Sequence, residues 1–111
     1  MEVTFKNAKL AKLCNSDKKL RGEYGERMAG LIQRRLHELH DAGTLDDMSQ
    51  VTGARCHQLV AKLKGCLAVD LVHPNRLVFK PANDPLPTKP DGGLDWSQVD
   101  AIEIVGIGDY H

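Results

Sequence analysis

Long apolar runs are missing from this chain. No stretch approaches the roughly 18 consecutive apolar residues that a membrane-crossing helix needs, and the opening MEVTFKNAKL lacks the apolar segment of a secretory signal. Both absences set the expectation of a cytoplasmic protein with no membrane partner. Paired cysteines are missing too. Cys14, Cys56 and Cys66 are odd in number and nowhere spaced as CxxC, which argues against a disulfide framework or zinc knuckle and for free, mostly buried thiols. A metal set of Cys56, His57, Cys66 and His73 can be drawn, but metal-ligand spacing is absent, so no metal or other cofactor is expected. Net charge is also lacking. Lys plus Arg and Asp plus Glu number 15 each, so nucleic acid would have to be met by a local basic patch. No internal repeat or low-complexity tract divides the 111 residues, and 41% hydrophobic with 27% charged residues is the make-up of one globular domain.

What is present changes period halfway along. MEVTF alternates and is rich in β formers, predicting a short first strand. NAKLAKLC suits a short helix, interrupted at Asn15 to Asp17. Leu20, Tyr24, Met28, Leu31, Ile32, Leu36 and Leu39 then recur at spacings of three and four, predicting one longer amphipathic helix with Arg21, Glu26, Arg34 and Glu38 opposite, stopped by Gly43. TLDDMSQ fits one further helical turn. From there the period becomes two: ARCHQLV reads as a strand, and CLAVDLV with RLVFK forms a hairpin from Cys66 to Lys80 around the turn residues HPN. Residues 81–98 hold four of the five prolines and a glycine pair, a loop excursion or flap whose far end Trp96 is expected to pin to the core. AIEIVGI alternates as the last strand. The sum is one α+β domain over 1–111, with two N-terminal helices packed on a twisted, mostly antiparallel sheet of about four to five strands.

Residues able to touch phosphate or move protons gather in the second half: Arg55, His57, Lys62, Lys64, Arg76 and the closing Asp109, Tyr110 and His111. Strand alternation places Arg55 and His57 on one face, and sheet pairing could bring them to Arg76 and the terminus. RNA carries its own nucleophile, the 2′-OH. Its cleavage therefore asks for a base, an acid and cations for the phosphate's developing charge. Histidine serves either proton role near neutral pH, and arginine's fork fits phosphate. Each side chain also has an ordinary role, His57 as a hydrogen-bonded strand residue and Arg76 as a surface ion pair.

The order of elements, the segment RCHQLVAKLKGCLAVDLVHPNRLVF and above all the closing IEIVGIGDYH resemble the HigB-like branch of the RelE/ParE superfamily of bacterial toxins, over most of the chain outside 81–98. The resemblance implies a RelE-like fold and a ribosome-dependent mRNA endonuclease working without metal. It also implies three partners: mRNA, the ribosome and a cognate antitoxin. It places the family's strand histidine on His57, its phosphate-contacting arginine on Arg76, and its closing acid, tyrosine and histidine on Asp109, Tyr110 and His111. Arg55, Lys62 and Lys64 would add charge for RNA. Which histidine is base and which acid stays open. Many relatives read His-x-Leu-Lys-Gly where this chain has His57, Gln58, Leu59, Val60 and Ala61. That departure favours an alternative, a noncatalytic interaction module of a toxin–antitoxin pair. Gyrase poisoning, as in the ParE branch, is a third reading, and those relatives generally lack the terminal histidine.

Overall fold

The computed structural model describes residues 1–110. Strand β1 (Glu2–Phe5) leads into helix α1 (Ala8–Cys14), whose start is set by Asn7, its side chain accepting the Leu10 N–H at 2.8 Å. Ser16 caps helix α2 (Asp17–Asp41) in the same way, through the Lys19 N–H at 3.1 Å. The single helix expected from the apolar spacing is broken once. Gly25 sits at φ 81°, ψ 166°, a conformation that glycine reaches without steric penalty, and it kinks α2 after its second turn. At the other end the α-ammonium of Met1 donates to the carbonyl oxygens of Leu39, His40 and Ala42, a positive charge where the helix dipole is negative. A 3₁₀ turn follows at Leu45–Gln50, with the Asp47 carboxylate accepting the Gly43 N–H at 2.9 Å.

Four further strands complete the sheet: β2 (His57–Gln58), β3 (Leu67–Asp70), β4 (Arg76–Pro81) and β5 (Ala101–Gly108). Their order is β1-β5-β4-β3-β2, parallel between β1 and β5 and antiparallel elsewhere. Leu20, Ile32 and Leu39 of α2 are fully buried with Leu67, Val69, Leu77, Phe79, Ile102 and Ile104 of the sheet. This is the α+β arrangement that the periodicities predict. A bulge shapes its middle: Val78 pairs with Gly106 but Phe79 with Ile104, so Val105 is skipped and alternation along β5 shifts by one. Ile104 and Ile107 can then both join the helix-side core.

One expectation, for the sheet edge, needs correction. The strand read over ARCHQLV shrinks to His57–Gln58, because Arg55 at φ 47° leaves the extended region and a 3₁₀ turn takes over at Ala61–Leu63. The 81–98 segment is a loop excursion tied down at several points, with Trp96 on the core as expected. Thr88 bridges Leu94, Asn83 ties back to Asp100 and Ala101, a 3₁₀ turn forms at Trp96–Gln98, and Trp96 packs half-buried on the core. Among the described residues no helix is long and apolar enough to cross a membrane.

Candidate functional site

Pairing across β2 to β5 lines up His57, Ala68, Val78 and Gly106 in one row, with Asp70, Arg76 and Gly108 in the next parallel row. Residues directly opposite share a face, and so do residues two apart along a strand. His57, Asp70 and Arg76 therefore project from the side of the sheet away from the helices. Ala68 and Val78 are fully buried yet lie outside the helix-side core, so they floor this second face.

Tyr110 closes the far end. Past β5 the chain folds back so that its phenol lies over Gly106 and Gly108: a Cβ on Gly106 would collide with the Tyr110 hydroxyl, and one on Gly108 would sit 3.6 Å from the ring. The GIG of the last strand is thus a shelf for this ring. His57, Lys62, Arg76 and Tyr110, with residues 58–61 and Leu63 between them, wall a hollow of about 670 Å³.

The imidazole is oriented by a strained residue two positions earlier, Arg55. Nδ1 of His57 stands 2.7 Å from the Arg55 carbonyl oxygen. A carbonyl only accepts, so Nδ1 carries the hydrogen, and Nε2 of the neutral ring keeps the lone pair. Arg76 is held by charge instead. Its Nε lies 3.8 Å from one oxygen of Asp70, whose other oxygen is 3.5 Å from Arg55. At that distance Arg76 has an ion pair without a hydrogen bond, so its guanidinium donors are not consumed by Asp70. Asp70 is itself fixed from both sides: its N–H donates to the Ala54 carbonyl at 2.7 Å, and its carbonyl accepts from Nε of Arg35 at 2.9 Å. Arg35, only 5% exposed within the apolar stripe of α2, also donates to Glu38 at 2.8 Å. Gly53, at φ 83°, turns the chain beside that guanidinium.

The expected residues therefore divide. His57, Lys62, Arg76 and Tyr110 come together. Arg55 is not in this hollow, although its ion pair with Asp70 keeps its head group on the same side of the sheet. Its left-handed backbone turns it to Asp70 and a neighbouring hollow of about 240 Å³ that Arg76 also lines. Lys64 faces a third hollow, with Leu86 and Leu94. Asp109 is exposed just past β5, and His111 lies outside the described residues. The sequence reading missed Asp70 and Arg35, which look like an ordinary strand acid and a helix-surface cation. It also missed the glycine shelf, whose signal was there: glycines two and four positions before Tyr110.

Among the described residues no group of three His, Cys, Asp or Glu side chains is placed to hold a metal ion. All three cysteines are free thiols. Burial pushes Cys56, beside His57, up to about 12 and Cys14 to about 11, so neither is a nucleophile near neutral pH. What the hollow offers is a proton acceptor, two cations and a phenol around one space. No protein-family model, curated protein or solved structure matches the chain.

Proposed function

We propose that this chain is the toxin of a type II toxin–antitoxin pair, a cytoplasmic HigB-like endonuclease that cuts mRNA on the ribosome. One observation carries the reading: His57, Arg76 and Tyr110, drawn from three separate parts of the chain, wall one hollow on the open face of the sheet. In the step this supports, Nε2 of His57 takes the proton of the RNA 2′-OH as that oxygen attacks the adjacent phosphorus. The bond to the 5′-oxygen breaks and that oxygen is protonated, leaving a 2′,3′-cyclic phosphate and a 5′-hydroxyl. Arg76 and Lys62 meet the charge that builds on the phosphorane, and Tyr110 aligns a nucleotide. With His57 read as the base, the other proton role falls to His111, the family's closing histidine, and Asp109 orients a histidine or assists as base. In a translating lysate the chain is expected to cut mRNA at codon-phased positions, and His57→Gln or Arg76→Ala to abolish the cuts without altering thermal unfolding. Intact mRNA in the presence of a folded wild-type chain overturns the nuclease reading.

A noncatalytic, partner-binding relative is the second reading, and one residue favours it. Val60, 80% exposed at the rim of the hollow, stands where many HigB-like relatives carry lysine. Val60→Lys separates the two: cleavage that appears only in this variant assigns the natural chain to the binding role.

A further inference from the structure

A second recess lies elsewhere on the molecule and shares no wall residue with the His57 hollow. It is a groove of about 520 Å³ between the end of β1, α1, the start of α2 and β5. Its floor is apolar, made by Leu10 and Leu13 of α1 and by Val105, the residue that the β5 bulge leaves out of register. Its rim is cationic, made by Lys6, Lys9, Lys12 and Lys19, with Glu23 as the one acid in the wall. Although the chain is neutral overall, residues 1–21 hold six Lys and Arg against two Asp and Glu. Among the described residues Lys80 and Lys89 are ion-paired, with Glu103 and Asp91, whereas none of the four rim lysines has an ion-pair partner.

Unpaired lysines around an aliphatic floor ask for an occupant that is acidic and apolar at once. Nucleic acid would satisfy the rim alone: its bases stack on aromatic rings, and no aromatic residue lines this groove. An amphipathic helix with carboxylates flanking an aliphatic stripe satisfies both, seating apolar side chains on Leu10, Leu13 and Val105. We propose that this groove is a docking site for an acidic amphipathic helix of a partner protein. The inference goes beyond the nuclease reading and does not depend on it. Because the groove and the His57 hollow share no lining residue, binding at the two can be read separately by residue.

The test uses the full chain and a synthetic helix of about 18 residues, long enough to hold its own structure, with a leucine stripe flanked by glutamates. Saturable binding is expected, with amide shifts confined to 6–23 and Val105. A Lys9→Glu, Lys12→Glu double variant, altered only at exposed positions, should melt like the wild type and bind about 10-fold more weakly. Replacing the peptide's glutamates with glutamine should weaken binding similarly. No saturable binding, equal binding by the glutamine peptide, shifts centred on His57 to Leu63, or displacement of the peptide from the groove by oligouridine would each overturn the proposal.

Discussion

The two walls of the His57 hollow are built in different ways. Arg76 belongs to β4, which pairs with β5 from Arg76 to Pro81, and the phenol of Tyr110, just past β5, rests on a glycine shelf of the same sheet. His57 belongs to a two-residue edge strand set between Arg55 at φ 47° and Ala61 at φ 57°. A left-handed residue with a Cβ costs about 1–2 kcal/mol, so the edge holds its imidazole by backbone that the rest of the fold keeps under strain. The cation is fixed by regular pairing, and the phenol by the glycines that this pairing presents. The proton acceptor is fixed against a local preference, and strain of this kind tends to collect where geometry matters for chemistry.

The largest effect is expected where the helix layer grips the regular wall. Arg35→Met leaves the Asp70 carbonyl and the Glu38 carboxylate without their shared donor, and stability should fall by about 3 kcal/mol in urea denaturation. Arg35→Lys should recover only part of this, since an ammonium lacks the fork that reaches both acceptors. A loss below about 1 kcal/mol for the methionine variant would mean that Asp70 is held by β3 pairing alone.

Next comes the shelf. Gly106→Val places a side chain where the Tyr110 hydroxyl lies, so the ring must swing away. Because Tyr110 lies outside the β5 pairing, stability should change by less than about 1 kcal/mol, a β-branched residue in a strand offsetting the lost contact. Activity should suffer more. Misplacing a group that aligns substrate lowers cleavage by about 100-fold, read as codon-phased cuts per unit time. Unchanged cutting would remove Tyr110 from the site while leaving His57 and Arg76 in it.

Much of the regular wall was legible beforehand, because its signals are local. The two-residue period of CLAVDLV and RLVFK and the turn at HPN give β3 and β4 directly, and the spacing from Leu20 to Leu39 gives the buried face of α2. The edge was not, since ARCHQLV has the composition of a full strand and nothing in it announces that Arg55 turns left-handed. That conformation answers to long-range contacts: Ala54 bonding to Asp70 on β3, and Asp70 drawing the Arg55 side chain. Arg35 misled for a related reason. Helical spacing puts it beside the apolar stripe, and only the approach of the Asp70 carbonyl makes that place fit for a guanidinium.

Relieving the strain gives a smaller change of opposite sign. Ala61→Gly suits φ 57° without a Cβ, and after the extra entropy that glycine loses on folding the gain should be about 0.5–1 kcal/mol. The urea midpoint should rise with an unchanged slope. Destabilisation would mean that the Ala61 methyl makes contacts worth more than the strain.

The finest comparison of the strained edge with the core comes from two thiols. Burial raises Cys56 to about 12 and Cys14 to about 11, so at pH 8 about one molecule in 10⁴ of the first and one in 10³ of the second is thiolate. If both stayed closed, Cys14 would alkylate about tenfold faster. Local opening returns a thiol to its ordinary acidity, so a strained edge that opens more readily than the α1 packing reverses the order. Cys56 is expected to label first in timed iodoacetamide reactions read by mass spectrometry, and Ala61→Gly to slow Cys56 while leaving Cys14 unchanged. The same shifts fix a pH dependence. Both groups are raised above 9.0, so the fold holds protons that the unfolded chain releases, and stability is complete below about pH 9 and declines as pH climbs toward 11. Cys14→Ala should flatten part of that decline. Labelling of Cys14 ahead of Cys56 would show the edge to be as firmly closed as the helix-side core, and its strain to be fully absorbed by the contacts around Asp70.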